Sequence, residues 1–245
     1  MPDSPGSPAV FAVVPAAGVG ARLGRGNKAA VELAGEPLVV HSLRTIAAYP
    51  AVVGGALVVH ADDVELAERE WCPAGWRVVV GGATRQASVA AGLATATVTA
   101  DDLILVHDAA RPLLTAEDLT RVIEAAATHG GATLASPVAD TLWREATSEG
   151  APRAGERIDR ERLHAVETPQ VFRRAWLDEA HAAGGSAAAT GSAATGSAAT
   201  DDVGLVTAQG HPVHLVSSRS PNFKVTSAVD LELAEVYVRS RRSPT

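Results

Sequence analysis

Apolar residues along the chain fall into short dense runs separated by longer amphipathic stretches, and this alternation sets the expected fold. Residues 9–14 form a β-branched run that stops at Pro15 and passes into a glycine-rich stretch through Gly26, which predicts a strand followed by a loop. From Pro37, Leu38, Val39, Leu43, Ile46 and Ala47 recur at helical spacing. Residues 52–59 read as strand, 62–71 as helix and 76–80 as strand. Gly81-Gly82 then turns the chain into a helix over 85–96, and 103–106 is a buried strand ending in His107-Asp108. Thr115 caps a helix to about residue 129, because its hydroxyl can accept a free first-turn amide. A strand over 132–138, another over 212–216 and a helix over 227–239 complete the pattern. Strands alternating with helices predict an α/β fold: a Rossmann-like three-layer sandwich, mostly parallel in its sheet, with helices on both faces. Ligands of such sheets lie beyond the carboxyl ends of the strands. The main polar clusters of this chain follow strands.

Two stretches break the alternation. Residues 139–168 are rich in charge and turn formers and predict a protruding β-arm. Residues 184–199 repeat Ala-Ala-Thr-Gly-Ser, at 188–192 and again at 193–197, and predict a flexible low-complexity loop that cannot bury enough apolar surface to order itself. Both are expected inside a single domain over residues 8–240.

Composition narrows the classes. Among 245 residues, 21 Lys and Arg face 28 Asp and Glu, a net charge of −7 that argues against nucleic acid as a partner. No apolar run approaches the length of a membrane span. Residues 1–8 carry no Lys or Arg, so no secretion signal is read there and a cytoplasmic location is expected. The single Cys72 excludes an intramolecular disulfide and a cysteine zinc site. Of the basic residues only Lys28 and Lys224 are lysines, which makes their surroundings informative.

Three clusters carry candidate chemistry. The loop Pro15-Ala16-Ala17-Gly18-Val19-Gly20-Ala21-Arg22, followed by Lys28, lets backbone amides approach phosphate oxygens while cations neutralise charge. A dinucleotide fingerprint fails because Leu23 stands where a third glycine is needed, and a Walker loop fails at Gly26-Asn27-Lys28-Ala29. Gly81-Gly82-Ala83-Thr84-Arg85-Gln86-Ala87-Ser88 suits a base edge or a phosphate, and equally an ordinary strand–helix turn. In His107-Asp108-Ala109-Ala110-Arg111-Pro112, Asp108 suits either Mg²⁺ or a helix cap. Arg111 can grip an anion bidentately, and His107 reads as a structural hydrogen-bonding group.

Taken in order, the segments from about residue 10 to 237 resemble the 2-C-methyl-D-erythritol 4-phosphate cytidylyltransferase family. The likeness rests on the three clusters together with Asp140-Thr141, Asp159-Arg160, Thr168-Pro169-Gln170, Thr200-Asp201-Asp202 and Phe223-Lys224-Val225-Thr226. The resemblance implies transfer of CMP from CTP to 2-C-methyl-D-erythritol 4-phosphate, with Mg²⁺ as cofactor, in non-mevalonate isoprenoid biosynthesis. It implies that Arg22 and Lys28 stabilise charge at the α-phosphate, with Arg160 and Lys224 completing the catalytic set. Pro15, Ala16, Ala17, Gly18, Gly20, Gly81, Gly82, Arg85, Ser88, Asp108 and Ala109 would bind the nucleotide, with Asp108 also holding the metal. Arg111, Thr141, Arg160, Thr200 and Lys224 would hold the methylerythritol phosphate, within a homodimer formed through the arm. The chain departs from the family at Asn27-Lys28-Ala29, where Pro-Lys-Gln is usual, and at Ala83, where a polar residue is common. A transferase acting on another polyol phosphate such as ribitol 5-phosphate, and a nucleotide-binding protein without turnover, also fit these motifs.

Overall fold

The computed structural model of the protein describes residues 7–18, 28–146, 151–190 and 201–242, with side chains throughout except at residues 28, 185–190 and 242. Strand β1 (Val10–Pro15) leads to a small hairpin, β2 (Glu32–Leu33) and β3 (Glu36–Pro37), and then to helix α1 (Leu38–Ala47). Strand β4 (Val52–Val59) follows, then helical turns over residues 61–71 that include α2 (Val64–Leu66), and strand β5 (Arg77–Val80). Helix α3 (Arg85–Leu93), strand β6 (Leu103–Val106), helix α4 (Ala116–His129) and strand β7 (Gly131–Pro137) come next. Strands β8 (Leu142–Glu145) and β9 (Ala154–Ile158) pair only with each other, and β10 (His164–Arg173) returns to the main sheet. Helices α5 (Arg174–Thr190) and α6 (Asp202–Ala208), strand β11 (His214–Ser217) and helix α7 (Ala228–Arg242) finish the chain.

The seven-stranded sheet has the order β11-β7-β10-β6-β1-β4-β5. All neighbours are parallel except β10, which runs antiparallel to both β6 and β7. Strands β1 and β6 are central and covered on both faces, which is why they read as continuous apolar runs. Their alternate residues feed different cores. Val10, Ala12 and Val14 pack with Leu43, Ile46, Leu119 and Val122 on one side, while Phe11 and Val13 pack with Val89, Leu93, Leu177 and Ala180 on the other. This is the expected three-layer α/β architecture.

From β1 the chain moves outward through β4 to β5, and then crosses back to place β6 on the other side of β1. The reversal puts a topological switch point at the β1–β6 boundary, with a crevice beyond the strand ends.

Two expectations change here. Residues 164–168 belong to β10 of the main sheet and not to the arm: His164 pairs with Pro137 and Val166 with Ala135. The ladder breaks between Val166 and Gln170, where Pro169 has no N–H to donate. Helix α5 continues to Thr190, so the part of the repeat tract over 184–190 is helical where a loop was expected. Its alanines supply the strongest helix preference of any residue. Residues 191–199 of the tract lie outside the described residues. No helix among the described residues is long and apolar enough to cross a membrane.

Candidate active site

Segments from four places in the sequence meet at the β1–β6 switch point. The loop after β1 supplies Pro15, Ala16, Ala17 and Gly18, and the β5–α3 turn supplies Gly82, Ala83, Thr84, Arg85 and Ser88. The loop after β6 supplies Asp108, Ala109 and Ala110, and Lys224 reaches in from the segment before α7. They line a cavity of about 340 Å³.

Local sequence explains each placement. Thr84 caps α3 by accepting from the Ala87 N–H at 3.0 Å. Ser88, one turn into that helix, accepts from the Gly82 N–H at 3.2 Å. A Cβ at Gly82 would lie 2.4 Å from the Ala87 Cβ, so only glycine lets the turn close on the helix. Gly81 is pinched the same way, with a Cβ there 2.7 Å from the Ala17 Cβ. It backs the cavity and does not line it.

The segment carrying Lys224 is clamped from three sides. Asp118, in the first turn of α4 and fully buried, accepts from the Arg219 and Ser220 N–H groups at 3.0 and 3.2 Å. Arg111 Nη1 donates to the Asn222 carbonyl at 2.8 Å, and the Val225 N–H donates to the Ala110 carbonyl at 2.8 Å.

Asp108 is the electrostatic centre. Arg85 Nε donates to its Oδ1 at 3.0 Å and Lys224 Nζ to its Oδ2 at 2.8 Å. Burial would raise this carboxyl, but the two adjacent cations outweigh burial and hold it well below the usual carboxylate range. Asp108 caps no helix, which removes that reading: the cap of α4 is Thr115, accepting from the Asp118 N–H. Arg85 and Lys224 against Asp108 leave the described cavity wall net positive in a chain of charge −7.

His107 faces away from the cavity and is fully buried. The Arg111 carbonyl can only accept, so Nε2–H donates to it at 3.1 Å, and Nδ1 of a neutral ring accepts from the Thr168 hydroxyl at 3.2 Å, while the same Oγ1 accepts from the Asp108 N–H at 3.0 Å. A neutral ring is thereby satisfied at both nitrogens, as a positioning group and not a base. Burial pushes its pKa down to about 4. The unfolded chain takes up this proton near pH 6.5 and the folded chain only near 4, so stability is full above that window and is lost as pH falls through it. The expected loss from this group is roughly 3 kcal/mol between those pH values. Urea unfolding across pH 4–7 checks it, and His107→Gln should flatten the slope in that window.

Not every expected residue converges on the cavity. Arg111 lies behind it, donating to the Asn222 carbonyl. Thr141 and Arg160 are exposed at either end of the β8–β9 arm and do not line it. Gly20, Arg22 and Thr200 lie outside the described residues, and Lys28 opens a short helical turn of which only the backbone is described.

A network that carried no assigned role in the sequence joins the site. Asp202 Oδ2 accepts from Arg85 Nη1 at 2.8 Å and its Oδ1 pairs with His181 Nε2 at 3.1 Å. Gln170 Oε1 accepts from the Asp202 N–H at 3.1 Å. Gln170 and Asp202 fall in the Thr168-Pro169-Gln170 and Thr200-Asp201-Asp202 segments of the family likeness, whereas His181 falls in no motif.

The chain matches the family model described as 2-C-methyl-D-erythritol 4-phosphate cytidylyltransferase over residues 10–240. It is 42% identical over 242 residues to the protein of that name from Stenotrophomonas maltophilia, covering 97% of this chain and 99% of the relative. It is 38% identical over 245 residues to the namesake from Acidobacterium capsulatum, covering 96% and 99%. The crystal structure of the Thermus thermophilus cytidylyltransferase superposes with a TM-score of 0.73 at 36% identity, covering 94% of this chain and 99% of that one.

Proposed function

The chain belongs to the 2-C-methyl-D-erythritol 4-phosphate cytidylyltransferase family, and on that premise we propose that it transfers CMP from CTP to 2-C-methyl-D-erythritol 4-phosphate in isoprenoid precursor biosynthesis. The products are 4-diphosphocytidyl-2-C-methyl-D-erythritol and pyrophosphate. The observation that carries this reading is the meeting of the β1 loop, the β5–α3 turn, Asp108 and Lys224 on one cavity at the switch point.

In the proposed reaction an acceptor phosphate oxygen attacks the α-phosphorus of CTP, and the bond from that phosphorus to the bridging oxygen breaks as pyrophosphate leaves. The acceptor is already anionic, so no base is needed. Bringing it to a triphosphate gathers about six negative charges in one place, and catalysis of this kind is mainly positioning and electrostatic stabilisation. Pro15 to Gly18, with Gly20 beyond them, offer small backbone surface to the phosphates, and Gly81, Gly82 and Ser88 shape the base side. Lys224 and Arg85 supply charge at the wall, and Ala109 packs against the nucleotide. Arg22 and Lys28 carry the proposed charge stabilisation at the α-phosphate. Arg111, Thr141, Arg160, Thr200 and Lys224 would hold the acceptor.

Mg²⁺ fits the donor set. Among the described residues Asp108 is the only carboxylate lining the cavity, and a single carboxylate with phosphate oxygens and waters is the usual way Mg²⁺ is held. Both Asp108 oxygens already accept from cations, yet each keeps a lone pair for a metal. Bound there, the ion would neutralise charge on the triphosphate.

The arm supports a homodimer as the working unit. An isolated two-stranded hairpin is marginal in water, and this one exposes Trp143 at 54%. Thr141 and Arg160 do not line the described cavity of their own chain. Inactive Asp108→Ala and Arg160→Ala chains, mixed under subunit exchange, should regain about a quarter of wild-type activity if half the subunits form heterodimers with one intact site. No recovery after demonstrated exchange would place the arm on its own chain's cavity. We assign the protein to the cytoplasm, where its nucleotide substrate is made.

The reading is tested by pyrophosphate release with fixed CTP and Mg²⁺ and a panel of acceptors. Methylerythritol phosphate should be preferred. Preference for ribitol 5-phosphate, or CTP binding without turnover on any acceptor, would overturn it.

A further inference from the structure

Arg85 has one buried donor left over. Its Nε is spent on Asp108 and its Nη1 on Asp202, while Nη2 is buried without a partner. Nε and Nη2 share one edge of the guanidinium plane, and that edge is turned to Asp108, which lines the cavity. Nη2 is shielded from solvent, so it reaches an oxygen of a bound nucleotide when the Arg85 head, which lines the cavity, shifts by a small turn.

Left to itself, an arginine beside a carboxylate closes a two-pronged pair, using Nε and Nη2 on the two oxygens at once. Here that closure would consume the spare donor and compete with Lys224 for Oδ2 of Asp108. What opposes it is Asp202, which draws Nη1 to the other side at 2.8 Å.

Asp202 is fully buried and lines no part of the cavity. It is itself held by His181 at Oδ1 and by Gln170 at its backbone N–H. Gln170 Nε2 donates in turn to Asp201 at 3.1 Å, and Asp201 caps the first turn of α6 at the Gly204 N–H.

We infer that Asp202 is a positioning residue that holds Arg85 open, so that one edge serves Asp108 and a bound nucleotide together. His181 and Gln170 fix Asp202 in that task. The inference rests on the nucleotide reading of the cavity.

Calorimetric CTP binding to the full chain tests it, without reference to turnover. Asp202→Asn keeps the shape and removes the charge, and is expected to weaken CTP binding about ten-fold, the loss of one charge-assisted hydrogen bond. In an Arg85→Ala background the same substitution should change CTP binding hardly at all, because the group through which it acts is gone. A merely structural role would instead lower binding by the same factor in both backgrounds, and that result overturns the inference. So does unchanged binding in Asp202→Asn. Should that variant fail to fold, His181→Phe removes the partner of Oδ1 while keeping a ring in place. It should give a smaller loss, again absent with Arg85→Ala, and equal losses in both backgrounds count against the inference. Wild-type protein that binds no CTP defeats the nucleotide reading itself, and is thereby told apart from a wild type that binds CTP and is indifferent to Asp202.

Discussion

Asp108→Asn should lower turnover by about 10²–10³-fold, the scale of losing one preorganised polar group from an electrostatic site. The amide keeps the volume of the carboxylate but replaces one acceptor with a donor. Arg85 and Lys224 both donate to Asp108, from opposite oxygens at 3.0 and 2.8 Å. An asparagine can satisfy one of them and must turn its NH₂ towards the other. The cavity wall gains net positive charge, so CTP affinity should fall far less than turnover. Steady-state kinetics beside calorimetry separates the two quantities. Turnover within ten-fold of wild type would remove Asp108 from the centre of the account.

Lys224→Ala should cost a similar factor, and Lys224→Arg should fail to restore it. Lys224 is the more exposed of the two cations, with its side chain 42% exposed against 25% for Arg85. Its backbone is fixed by the clamp of Asp118, Arg111 and Ala110. A compact ammonium that touches Asp108 through one hydrogen can still donate two more to phosphate oxygens. A planar guanidinium is longer and fits oxygens in a fixed fork, so it would meet Asp108 bidentately beside Arg85. The loss should fall on kcat/KM for the acceptor phosphate. A Lys224→Arg enzyme with near-normal kcat/KM would show that any cation suffices there. Sequence counts point the same way: of 21 basic residues only two are lysine, and both fall in segments expected to handle phosphate.

Where the chain obeys simple rules, its fold is legible. The strands Val52–Val59 and Leu103–Val106 and the helix Ala116–His129 follow directly from apolar runs, helical spacing and a threonine cap. Strand β10 escapes those rules because Glu167, Thr168, Pro169 and Gln170 interrupt it. Proline cannot donate to a central ladder, and glutamate is depleted in strands. The three polar residues among them are each spent: Glu167 accepts from Ser136, Ser218 and Asn222, Thr168 links Asp108 to His107, and Gln170 holds Asp202. Helix α5 was hidden by the repeat tract into which it runs. At the site, the motifs that follow β1, β5 and β6 supply most of the residues around the described cavity, because each follows the end of a strand. The pairing of Arg85 with Asp202, 117 residues apart, was invisible, because it depends on how α6 docks against α3 and α5 and on no local pattern. The arm residues Thr141 and Arg160 were legible as motifs, while their distance from the cavity of their own chain required the structure.

The fate of the α-phosphorus of CTP decides whether the chain transfers CMP. Purified protein, Mg²⁺, methylerythritol phosphate and CTP radiolabelled at that phosphorus are incubated, the labelled products are resolved by chromatography, and pyrophosphate is assayed in parallel. The label should move into a diphosphate joined to methylerythritol, with one equivalent of pyrophosphate released and both products formed about 10²–10³-fold more slowly by Asp108→Asn. Label that stays in CTP, or leaves as CMP while methylerythritol phosphate is unchanged, would contradict it.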